Sequence, residues 1–154
     1  MGRGKAKPKK ESDWPALIDQ MHSNEARAKL VADLAEKGVQ LEGRYIDQAI
    51  SYYHDKGQFN ISGALAARSG MTELASQDFE NAGLYVAAAE HAAKANMMDR
   101  SLKLYEKALA EKEGMRQYNA ALKIAEDAGL ESKAEFYKNL LASLDAIGIK
   151  PWHR

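Results

Sequence analysis

The 154-residue sequence predicts an all-α fold, an array of about nine short antiparallel helices, and three observations predict it. Glycines stand at positions 57, 70 and 83, thirteen residues apart, and the next step lands on Asn96. Glycine, and less readily asparagine, adopts the left-handed conformation that ends a helix, so the spacing reads as a helix stop every thirteen residues. The segments between the stops then align at an offset of 26: Phe59 with Tyr85, Leu65 with His91, Ala66 with Ala92, Met71 with Met97. Finally, Tyr53, Phe79, Tyr105 and Tyr137 each follow an acid by six residues, namely Asp47, Glu73, Asp99 and Glu131. A fixed period of this kind marks a helical-hairpin repeat.

In chain order, residues 1–11 (MGRGKAKPKKE) lack apolar periodicity and are expected to be a disordered basic tail. Residues 12–147 are expected to form one domain, and 148–154 a C-terminal capping tail. Ser12 or Asp13 is the expected cap of a first short helix, with Pro15 in its first turn and Trp14, Leu17, Ile18 and Met21 on one stripe. A second helix runs from Asn24 to Lys37 with Leu30, Val31 and Leu34 inward and Gly38 as its stop. The remaining helices are expected at 44–55, 58–69, 72–82, 84–95, 98–113, 116–128 and 131–146. No proline between residues 16 and 150 forbids them.

Two helix types alternate. In one, an aromatic stands near the start (Phe59, Tyr85, Tyr118) and alanines follow, small side chains that let helices approach closely. In the other, the aromatic comes late, and the acid six residues before it is expected in the first turn, where it complements the helix dipole. The last helix is expected to bury Tyr137, Leu140, Leu141 and Leu144. Trp14 and Trp152 are the expected covers of the two ends.

Composition narrows the function classes. No apolar run reaches the roughly 20 residues of a membrane span, and no secretory signal is seen, so a cytoplasmic protein is expected. Cysteine is absent, which removes thiolate chemistry and cysteine-ligated zinc. The histidines and carboxylates lack zinc spacing, and no phosphate loop, dinucleotide fingerprint or nucleophile elbow occurs. No cofactor, metal or catalytic residue is expected. The ten N-terminal residues hold Arg3, Lys5, Lys7, Lys9 and Lys10 without an acid, which leaves 17 basic against 22 acidic residues in the rest. That tail can attract nucleic acid electrostatically, without base readout.

The phrases FENAGLYVAAAEHAAKANM and LYEKALAEKEGMRQYNAALKIAEDAGL resemble the tetratricopeptide-like superfamily, and within it the short hairpins of clathrin-type and coatomer-type repeats. The resemblance covers about residues 24–146. It implies a right-handed α–α superhelix, a solenoid, whose usual role is scaffolding through protein–protein contacts. The period departs from the standard tetratricopeptide unit, being 26 and then 33 and 32 residues where that unit holds about 34.

The expected function is therefore a non-enzymatic scaffold or adaptor that binds a peptide or helix on the surface of the alanine-rich helices. Alignment turns Asn60, Val86, Glu90, Lys94, Asn119 and Lys123 outward in register there. His91 occupies the column of Leu65 and Ile124 and is expected to face core or groove, where an imidazole can sense pH. A nucleic-acid-associated protein acting through residues 1–10, and a self-associating repeat protein joined at its ends, are the alternatives. Oligomeric state is not readable from these residues.

Overall fold

The computed structural model describes residues 13–149. Among them are nine helices and no strand: α1 (Trp14–Asp19), α2 (Asn24–Glu36), α3 (Gly43–Asp55), α4 (Phe59–Arg68), α5 (Thr72–Asn81), α6 (Tyr85–Lys94), α7 (Met98–Gly114), α8 (Tyr118–Asp127) and α9 (Glu131–Ala146). The chain divides into two compact units, one up to Asp78 and one from Phe79, with the division inside α5. The basic tail residues Arg3, Lys5, Lys7, Lys9 and Lys10, and Trp152, lie outside the described residues.

One hydrogen-bond motif ends every helix from α2 to α9. At α3 the N–H of Gly57 donates to the His54 carbonyl and that of Gln58 to the Tyr53 carbonyl, both at 2.9 Å. This Schellman closure satisfies two carbonyls that the helix end would leave bare, and it needs one residue in the left-handed region. Glycine fills that place at the ends of α2, α3, α4, α5, α8 and α9, while Asn96 (φ 59°) ends α6. The end of α7 differs from expectation. Arg116 takes the left-handed place with φ 56°, so α8 starts at Tyr118 and not at 116.

Other helix starts also refine the reading. Glu73, Asp99 and Glu131 do stand in first turns. Asp47 does not: α3 begins earlier, at Gly43, which puts Asp47 in the second turn. Asp13 occupies the N-cap of α1 without a side-chain bond, whereas Ser23 caps α2 by accepting from the Ala26 N–H at 3.2 Å.

In the first unit α2 packs on α3 and α3 on α4, around buried Val31, Leu34, Ile46, Ile50, Tyr53 and Leu65. Tyr45 ties α1 to this core, donating to Asp19 Oδ2 at 3.0 Å. In the second unit α6 packs on α7, α7 on α8 and α8 on α9. Ala88, Ala89 and Ala92 of α6 are fully buried against Leu104, with Phe79, Tyr85 and Tyr105 partly buried around them. A second cluster joins Leu109, Ala121, Ala125, Ala134 and Tyr137. Wholly buried alanines on α6 and α8 give these helices the close approach that their composition implies.

α9 departs from the expected burial. Tyr137 is fully enclosed and its hydroxyl donates to Glu113; burial, and then that bond, push the hydroxyl well above the ordinary tyrosine value. Leu140, Leu141 and Leu144 are only half-buried. Phe136, Ile147 and Ile149 are 54%, 69% and 53% exposed, because α9 packs on α8 from one side.

Candidate interaction surfaces

Each unit carries an open cavity bordered by an alanine-rich helix. In the first unit a cavity of about 530 Å³ lies between α2, α3 and α4, bordered by Glu25, Asp33, Tyr53, Asn60, Ala64 and Arg68. Arg68 turns its guanidinium to the C-terminal carbonyls of α2, at 3.3 Å from Ala35 O and 3.5 Å from Glu36 O, where a cation complements the helix dipole. Burial raises the Tyr53 hydroxyl above its ordinary value, and the carboxylates of Asp33 and Glu25 add to the effect.

In the second unit a cavity of about 410 Å³ lies among α6, α7 and α8. Its walls include Leu84, Val86, Ala87, Glu90, Ala108 and Ile124. Leu84, the residue after the left-handed Gly83, is 46% exposed there. The exposed leucine, with Val86, Ala87, Ala108 and Ile124, makes an apolar recess edged by the charged side chains of Glu90, Glu111 and Lys112. Asn60 and Ala64 in the first cavity are the residues that the 26-residue offset pairs with Val86 and Glu90 in the second.

The remaining expected residues are placed differently. Lys94, Asn119 and Lys123 are exposed and border neither cavity. His91 is half-buried with its ring 5.4 Å from that of Phe79, and its Nδ1 is buried without a hydrogen-bond partner. Burial, and then nearby Lys94, lower its pKa against the opposing pull of Glu90. His91 thus behaves as a neutral ring packed on an aromatic, on the side of α6 turned toward Phe79.

The first unit also holds a polar cluster that column alignment did not anticipate. Asp78 is fully buried. Its Oδ2 accepts from the hydroxyl of Ser62, itself fully buried, while Oδ1 makes no hydrogen bond and faces His54 Nε2 at 3.5 Å. The order of contacts matters. A nucleophilic serine needs the imidazole between itself and the carboxylate; here the carboxylate is in the middle and the serine has no access to solvent. A signal for the cluster was present in the sequence. The 26-residue offset carries Ser62 to Ala88 and Asp78 to Leu104, two residues that pack together in the second unit.

Among the described residues no three His, Cys, Asp or Glu side chains gather to hold a metal ion, and no helix is long and apolar enough to cross a membrane. Comparison with protein-family models, with curated proteins and with solved structures finds no match.

Proposed function

We propose that the chain is a tetratricopeptide-like helical-repeat module, a right-handed superhelix that binds a helix or an extended peptide on the surface of its alanine-rich helices. The observation that carries this reading is the apolar recess of the second unit, where Leu84 is 46% exposed beside Val86, Ile124 and the carboxylate of Glu90. A recess of this shape takes an apolar anchor side chain, and the charged groups at its edge, Glu90, Glu111 and Lys112, orient it by pairing with polar groups of the partner. Within the second unit Lys94, Asn119 and Lys123 are exposed on the same helix type. The non-enzymatic reading draws support from the Ser62–Asp78–His54 arrangement, in which the serine is fully buried and bonded to the carboxylate and not to the imidazole, an order that does not activate a nucleophile.

The test is selection of a peptide library on the immobilised protein, followed by Leu84→Ser and Glu90→Lys. Both residues are exposed, so the melting temperature should hold while the selected peptides lose at least about tenfold in affinity, the loss of one buried anchor contact. Binding that is unchanged in both variants removes the recess from consideration.

A further inference from the structure

The outward side of α9 carries a seam for which the groove reading has no use. Phe136, Leu140, Ser143 and Ile147 fall at i, i+4, i+7 and i+11, the alternating spacing of a helix face that pairs with another helix. Phe136 and Ile147 are 54% and 69% exposed, and Leu140 is half-buried between them. The Ser143 hydroxyl is spent on its own backbone, donating to the Asn139 carbonyl at 2.9 Å, so the seam can lose water without stranding a polar group. Helical spacing places Ser132 and Asn139 along its margin, and turns Lys138 and Asp145 to the opposite side of the helix. The charge at its edge is that of Lys133.

The equivalent side of α7 is built otherwise. At an offset of 32 residues, Phe136 corresponds to Leu104 and Leu140 to Ala108, both buried. Arg100, Lys107 and Glu111 of α7 become Ser132, Asn139 and Ser143 in α9. The face has exchanged charges for small neutral groups around large exposed apolar ones, which is the composition of an interface core and not of a solvated surface.

We propose that this seam packs antiparallel on the same seam of a second copy of the chain. A two-fold axis near Leu140 and Ser143 sets Phe136 against Ile147 of the second copy and Leu140 against Ser143 of the second copy. Four layers form without a charged side chain in any of them, so like-charge repulsion does not oppose self-pairing. A 16-residue helix is about 24 Å long. A one-helix contact of that length lies at the small end of specific interfaces, so the dissociation constant is expected on the order of 100 μM.

Sedimentation equilibrium of the full chain should show the mass rising from monomer toward dimer as concentration passes through that range. Phe136→Ser and Ile147→Ser, both at exposed positions, should weaken association at least about tenfold, a loss of one buried apolar anchor, without lowering the melting temperature. Because the chain has no cysteine, a mixture of Leu140→Cys and Ser143→Cys chains, whose new thiols the register sets opposite each other, should form a disulfide-linked heterodimer under mild oxidation, while Asp145→Cys on the far side should cross-link with neither. Leu84→Ser and Glu90→Lys should leave the dimer intact, which separates this proposal from the groove reading. A chain that stays monomeric at about ten times the expected constant, or cross-linking through Asp145→Cys equal to that of the Leu140→Cys and Ser143→Cys mixture, overturns the proposal. A dimer that appears only after residues 150–154 are removed does the same, and identifies the chain's own C-terminal segment as the occupant of the seam.

Discussion

Replacing Ser62 by alanine and Asp78 by leucine, singly and together, transplants the Ala88–Leu104 pair of the second unit into the equivalent place in the first. Ser62→Ala removes the hydroxyl that donates to a fully buried carboxylate, whose other oxygen faces His54 at 3.5 Å. Leaving a buried acceptor short of its donor costs at least about 1–3 kcal/mol. Asp78→Leu strands the Ser62 hydroxyl instead, at about 1–3 kcal/mol, partly offset by the added apolar contact. The double variant leaves no polar group of the pair behind. Replacing both partners of a buried hydrogen bond by apolar groups of similar shape is near neutral or stabilising. The prediction is thus two destabilised single variants and a double variant at least as stable as the parent, a coupling of opposite sign to the single effects. Urea denaturation with a constant slope measures it. If Ser62→Ala leaves the midpoint unchanged, or if the double variant is weaker than either single one, the reasoning about Asp78 is wrong.

Arg116→Gly should stabilise the chain by about 1 kcal/mol, since an arginine with φ 56° bears the left-handed penalty that glycine avoids; a thermal melt checks it. The His91 pKa is lowered by burial and by Lys94, so the unfolded chain binds the proton more readily. Stability that His91 contributes is present above pH about 6.5 and is lost as pH falls below it. His91→Leu, which copies Leu65, should flatten that acid-side slope in urea melts from pH 5 to 8. Tyr137→Ala should cost about 3–5 kcal/mol as the loss of a fully buried aromatic, while Phe79→Ala, at a partly buried ring, should cost clearly less in the same assay.

The elements most legible in the sequence were those set by local chemistry. Gly57, Gly70, Gly83 and Asn96 mark helix ends because the closing motif demands a left-handed residue, a demand met within six residues of chain. Arg116 escaped notice because nothing in an arginine side chain announces that conformation; the preceding helix imposes it. Burial on α9 was misjudged for a different reason. Leucine spacing shows which residues can share a face, but Leu140 and Leu144 stay half-open because no described helix lies beyond them. The cavity-lining pair Val86 and Glu90 followed from column alignment, whereas Lys94, Asn119 and Lys123, aligned by the same rule, border neither recess. His91 turned toward Phe79, since a ring can satisfy an apolar neighbour without help from its nitrogens. Asp78 needed a comparison between repeats, in which a carboxylate stands where Leu104 packs.

The length of α7 carries a last consequence. It has 17 residues where α5 has 10, and the spacing between Tyr85 and Tyr118 is correspondingly seven longer than that between Phe59 and Tyr85. Seven residues are nearly two whole turns, about 10.5 Å of extra rise with only about 20° of rotation. Tyr118 therefore begins α8 as Tyr85 begins α6, and the closing bonds at Arg116 and Gln117 repeat those at Asn96 and Met97. A heptad is thus the quantum of insertion this architecture tolerates: a hairpin can grow taller by that step without re-aiming the next helix. A three- or four-residue insertion at the same place would swing α8 by a large angle and detach Ala121 and Ala125 from Leu109.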